Sequence, residues 1–119
     1  MLNPFSNAFD YTAIGKAVDK FGVMLYNEHG WPGSGPGPAV SIGWMERVLK
    51  YTITKMPSDK VFSDVSVFGF DFNLTTGDAK YVTYDIAIGI AQKYGSQIIF
   101  DEKTQTPMFS YTAENGNKH

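Results

Sequence analysis

The chain has 119 residues, of which 43% are hydrophobic, 15% aromatic and 18% charged, with a net charge of −2. This length and balance fit one globular domain spanning residues 1–119, able to bury a core without a disulfide or metal staple. Cysteine is absent, which excludes disulfides, thiolate metal sites and cysteine nucleophiles.

No window approaches the roughly 18 apolar residues of a membrane span. Residues 1–7 carry neither a basic segment nor an apolar run, so a secretory leader is not expected; with no cysteine, this predicts a cytoplasmic protein. Arg47 is the one arginine among ten basic residues, and the lysines are scattered. Phosphate-backbone binders cluster such charges, so nucleic acid is not an expected partner.

In chain order, Asp10 is a helix N-cap, and Ile14, Ala17, Val18 and Phe21 fall on one helical face. Gly22 reads as the stop, and residues 23–26 as a short buried strand. Residues 30–38 hold four glycines and three prolines, the composition of a flexible surface loop. Ser41 then caps a helix through Lys55, with Ile42, Met45, Leu49 and Ile53 as its buried stripe. Residues 64–74 read as one strand, Phe68, Phe70 and Phe72 alternating with Gly69, Asp71 and Asn73. A turn is expected at residues 75–78.

Ile86, Ala87, Ile90, Ala91 and Tyr94 fit a helix closed by Gly95, although Val82, Tyr84, Ile86, Ile88 and Ile90 also alternate as a strand would. Residues 97–100 read as a strand, residues 101–104 as a turn, and residues 106–111 as an edge strand, because Pro107 lacks an amide donor. Residues 13–22 and 87–95 resemble each other, both ending in Lys-aromatic-Gly before an apolar strand. That favours the helical reading of the second unit. The expected class is α+β: one mainly antiparallel sheet packed by about three helices, with two similar helix–Gly–strand units. Residues 115–119 look frayed, and His119 is compatible with a purification tag.

Few residues could carry chemistry. Glu28 and His29, at the edge of the Gly/Pro loop, could form an acid/base pair, but one loop imidazole is more simply a solvated side chain. No metal or cofactor site is expected, since one or two histidines with scattered carboxylates show no ligand spacing. Ser34 lacks the Gly-x-Ser-x-Gly setting of a nucleophile elbow, and the loop lacks the Gly-Lys-Ser/Thr of a phosphate loop. Asp71 alternates away from the phenylalanine face and reads as solvated. Paired carboxylates could cleave a glycoside, yet the acidic residues of the second half look like caps and turns. More suggestive is the helix from Ser41, where Trp44, Val48 and Tyr51 sit at i, i+4 and i+7 beside the core stripe. Either this face is buried on both sides or it meets a partner. With Asp78, Asp85, Asp101 and Glu102 it makes up the candidate partner-binding surface.

The order Tyr84-Asp85-Ile86-Ala87, Ile90 to Gly95, Ile98-Ile99-Phe100-Asp101 and Thr104 closes the chain with a helix, a glycine, a strand and an acidic turn. Over about residues 81–109 this resembles the ending of small bacterial immunity proteins, which neutralise a toxin by binding it. The resemblance implies a non-enzymatic inhibitor with a protein partner, such as a toxin domain, and no catalytic residues. The alternatives are a small-molecule-binding domain, with a pocket beside the phenylalanine strand, and a small hydrolase using His29 and Glu28.

Overall fold

A computed structural model describes residues 8–119. Three α-helices and six strands follow in the order α1 (Tyr11–Ala17), β1 (Phe21–Leu25), α2 (Ile42–Ile53), β2 (Val61–Val65), β3 (Phe68–Phe72), β4 (Ala79–Thr83), α3 (Tyr84–Lys93), β5 (Ile99–Asp101) and β6 (Thr106–Met108). The class is α+β, and pairing is mainly antiparallel. The strands form three two-stranded ladders: β1–β2 parallel, β3–β4 and β5–β6 antiparallel.

The local signals hold where they are short-range. The Asp10 carboxylate accepts the Ala13 N–H at 2.9 Å and starts α1, and the Ser41 hydroxyl accepts the Trp44 N–H at 3.3 Å and starts α2. Thr83 caps α3 in the same way. Gly95, at φ +61°, ends α3 while the Ser96 N–H reaches back to the Ala91 carbonyl at 2.8 Å. Residues 84–91 are therefore helix, and the alternating run that begins at Val82 starts in β4, a strand the periodicity of α3 concealed.

Other boundaries differ from the sequence reading. α1 ends at Ala17, and Gly22 lies inside β1, so the two helix–strand units place their glycines differently. Two forces outweigh another helical turn. Phe21 to Leu25 gain a five-residue parallel register with Val61 to Val65, and the Lys60 ammonium donates to the carbonyls of Gly15 at 2.9 Å and Val18 at 2.8 Å, occupying orphan acceptors at the helix end. The expected single strand over 64–74 is broken at Ser66-Val67, because β2 pairs with β1 while β3 pairs with β4. On α2 the buried residue is Thr52, whose hydroxyl donates to the Val48 carbonyl at 2.9 Å, whereas Ile42 and Ile53 are exposed. Residues 115–119 are not frayed: His119 and Tyr111 exchange backbone hydrogen bonds, and Lys118 bridges Thr112.

The interior is thin. Among the described residues Gly15, Leu25, Ala39, Thr52, Met56 and Ala91 are the buried ones, and of the large side chains only Leu25 is buried completely. The radius of gyration is 17.2 Å, against about 13–14 Å for a compact domain of this length. α1 and α2 lie on the Phe21 side of the parallel pair, where the Tyr11 ring meets Phe21 and Tyr51 edge-on at 6.0 and 6.1 Å. α3 packs on β3 and β4.

Candidate functional site

β1, α2 and β2 form a parallel strand–helix–strand unit, and in such sheets ligands meet the loops beyond the carboxyl ends of the strands. Beyond Leu25 the backbone turns sharply: Asn27 adopts φ +63°, a left-handed conformation that asparagine tolerates better than most residues. The chain then enters the Gly/Pro loop. The Glu28 N–H donates to the Ala39 carbonyl at 2.9 Å, and the Glu28 carboxylate accepts the Ser41 N–H at 2.7 Å. His29 Nδ1 lies 3.0 Å from the Pro38 carbonyl. A carbonyl can only accept, so Nδ1 carries the proton. Glu28 and His29 therefore close the base of the loop, each bonded to its far end and not to the other.

Above that base the loop folds against a ring cluster. The Phe70 ring stands 5.7 Å from Phe68, 5.8 Å from Phe72 and 4.6 Å from Tyr81, with Tyr26 6.0 Å from Phe68. Gly30, at φ +103°, sits on Phe70 so closely that a β-carbon there would lie 2.2 Å from the ring tip. The Gly30 N–H donates to the Ser34 hydroxyl at 3.0 Å, giving Ser34 a loop-closing role. Between residues 30–36 on one side and residues 72–74 and 77–79 on the other lies a cleft of about 490 Å³. Trp31 belongs to its wall and is 56% exposed. Asp78 lies opposite, its carboxylate accepting the Thr76 hydroxyl at 2.7 Å.

Asp71 is not solvated as its alternation suggested. Its two oxygens accept the Tyr111 hydroxyl and His119 Nδ1, both at 2.8 Å, and the Asp71 and His119 side chains are mostly buried. Tyr111 stacks on Tyr94 and on His119, with centroids 4.6 Å apart in both pairs. Burial, then the hydrogen bond to Asp71, pushes the Tyr111 hydroxyl well above the ordinary tyrosine range. Sequence reasoning missed this cluster, whose members are 40 and 48 residues from Asp71. It abuts the cleft through Leu74, whose N–H donates to the Lys118 carbonyl at 2.8 Å.

The candidate partner-binding residues are spread out. Trp44 and Val48 are half-buried on α2 and Tyr51 is exposed beside Tyr11. Asp78 lies in the β3–β4 turn, Asp85 in the first turn of α3, Asp101 at the end of β5 and Glu102 in the β5–β6 turn. One backbone bond, from the Ile42 N–H to the Thr104 carbonyl at 3.0 Å, joins the Asp101 turn to the start of α2. The Asp101 carboxylate accepts the Thr104 hydroxyl at 2.5 Å, which holds its pKa below the ordinary aspartate value. It organises its own turn. Among the described residues no cluster could hold a metal ion, and no helix is long and apolar enough to cross a membrane.

No protein-family profile matches the chain. It is similar to the cortical fragment-lytic enzyme of Bacillus anthracis, 34% identical over 119 residues, which is 97% of this chain and 27% of that protein. The crystal structure of the Bacillus cereus spore cortex-lytic enzyme SleL superposes with a TM-score of 0.88 at 35% identity, covering 100% of this chain and 29% of that one. A chitinase from Chromobacterium violaceum superposes with a TM-score of 0.84 at 28% identity, covering 92% and 34% respectively. The chain thus spans about a quarter of the length of the curated relatives it matches.

These likenesses overturn the immunity-protein resemblance and, with it, the expectation of a non-enzymatic toxin inhibitor. The matched proteins are lytic enzymes and a chitinase, and the match extends over nearly the whole chain. The helix–glycine–strand ending that suggested an inhibitor is a generic unit, and the lytic enzymes share it together with everything before it.

Proposed function

We propose that the chain is part of a polysaccharide-cleaving glycoside hydrolase, in which it supplies a sugar-binding wall. The observation that carries this reading is the similarity over 97% of the chain to a cortical fragment-lytic enzyme. The cleft geometry supports it. Exposed indole on the wall of a cleft suits a pyranose ring, whose C–H-bearing face is apolar and stacks on an aromatic surface while its hydroxyls reach polar edges. The three carboxylates near the cleft, Glu28, Asp71 and Asp78, are each engaged by a neighbour, which favours binding over acid/base work for this segment.

The test places residues 1–119 in the Bacillus cereus enzyme in exchange for the segment they match. A folded chimera should release products from spore cortex fragments. In it, Trp31→Ala should raise KM roughly three- to tenfold with kcat held, while Trp44→Phe, on α2, leaves both unchanged. A cooperatively melting chimera that neither binds nor cleaves cortex fragments or chitin oligosaccharides refutes the proposal.

A further inference from the structure

We infer, building on the carbohydrate reading, that the hairpin of residues 110–119 holds one wall of the cleft in place, which makes Tyr111 and His119 positioning residues for sugar binding. The two walls are anchored differently. The loop of residues 30–36 is seated on Phe70 through Gly30. The opposite wall is the β3–β4 turn, which is braced mostly against itself. The Asn73 N–H donates to the Asp78 carbonyl and the Gly77 N–H to the Asn73 carbonyl, both at 2.8 Å. The Asn73 side-chain oxygen accepts the Thr75 and Thr76 N–H groups, both at 3.0 Å. These bonds give the turn a shape but not a place. Among the described residues, the hydrogen bonds that tie it to anything beyond its own hairpin go to Lys118. The Leu74 N–H donates to the Lys118 carbonyl at 2.8 Å, and the Lys118 N–H donates to the Thr75 hydroxyl at 3.1 Å.

Lys118 is placed in turn by its neighbours. Tyr111 and His119 pair through their backbones at 3.1 and 2.9 Å. Both side chains bind Asp71, which directly precedes the cleft residue Phe72 on β3. The far end of the hairpin is fixed to α3, where the Glu114 carboxylate accepts the Tyr94 hydroxyl at 2.9 Å and pairs with the Lys93 ammonium at 2.6 Å. That ion pair is exposed and contributes little. Removing a partner from the mostly buried Asp71 cluster instead strands a carboxylate. Loss of the His119 side chain therefore frees Lys118 from β3 and lets the turn shift, and a displacement of about 1 Å is enough to misplace a ligand. Neither Tyr111 nor His119 lines the cleft, so an effect of either on affinity must pass through the turn.

The measurements are made on the chimera described above. His119→Ala should raise KM for cortex fragments roughly threefold or more with kcat held. The Leu74 amide should then exchange roughly tenfold faster, while that of Asn73, bonded within the turn, is unchanged. His119→Asn keeps an N–H donor near the Nδ1 position and should restore both values. Lys60→Met, which weakens the end of α1, should lower the melting temperature without moving KM, and this separates positioning from a general loss of stability. Tyr111→Phe keeps the ring stack, loses the bond to Asp71 and should raise KM in the same direction; it decides the outcome if His119→Ala does not melt cooperatively. An active chimera in which Trp31→Ala raises KM, while His119→Ala and Tyr111→Phe move it no more than Lys60→Met does, overturns this inference alone. A cooperatively melting but inactive chimera overturns the carbohydrate reading and this inference with it.

Discussion

Replacing Gly30 by alanine tests whether the Gly/Pro loop is seated on the ring cluster. Two penalties add at this position. At φ +103° an L-residue is strained, by about 1–2 kcal/mol. The new β-carbon would lie 2.2, 2.3 and 2.5 Å from three atoms of the Phe70 ring, where carbon contacts need about 3.5–4.0 Å. Phe70 cannot simply retreat, because Phe68, Phe72 and Tyr81 stand around it. Overpacking of this kind costs about 1–3 kcal/mol, for a total of about 2–5 kcal/mol. Gly33→Ala is the control: its φ is +87° and its β-carbon would meet nothing within 4 Å, so it should bear only the backbone strain. Urea denaturation of both variants in the chimera gives the difference, expected at about 1–3 kcal/mol. Equal losses, within about 0.5 kcal/mol, would show that the loop does not rest on Phe70.

Three further outcomes are expected. Asp71→Ala and His119→Ala should be non-additive, coupled by about 0.5–3 kcal/mol in a double-mutant cycle, since each removes the other's partner. Lys60→Met keeps the aliphatic stem but loses two charged hydrogen bonds at the end of α1; a destabilisation of about 1.5–3 kcal/mol should appear in melting curves. The raised Tyr111 hydroxyl contributes stability below the ordinary tyrosine value of about 10, and that contribution is lost as pH rises above it towards the folded-state value. Ultraviolet titration should show one tyrosine ionising later than the rest or only on unfolding, and Tyr111→Phe should remove it.

What the sequence made legible was local. Asp10, Ser41 and Gly95 act through backbone groups three to five residues away, so their neighbours in the chain suffice to identify them. The end of α1 depended instead on Lys60, 42 and 45 residues further on, and helical spacing carried the reading past it to Phe21. The break at Ser66-Val67 could not be seen because each half of that run answers to a different partner strand. The same distance hid the Asp71–Tyr111–His119 cluster. Glu28 and His29 looked like chemistry because they are adjacent, yet adjacent side chains diverge, and these two bind Ser41 and Pro38 separately. The aromatic spacing on α2 drew attention to Trp44, while Trp31, on the cleft wall, was passed over as part of a linker-like loop.

The stacked rings of Tyr94, Tyr111 and His119 have a practical corollary for spectroscopy. Both tryptophans, Trp31 and Trp44, belong to the first half of the chain, so indole fluorescence reports on the loop and α2 alone. Closely stacked phenols couple their transitions and give a near-ultraviolet dichroism band of their own. The loop and α2 therefore carry a native fluorescence reporter that the second half of the chain lacks.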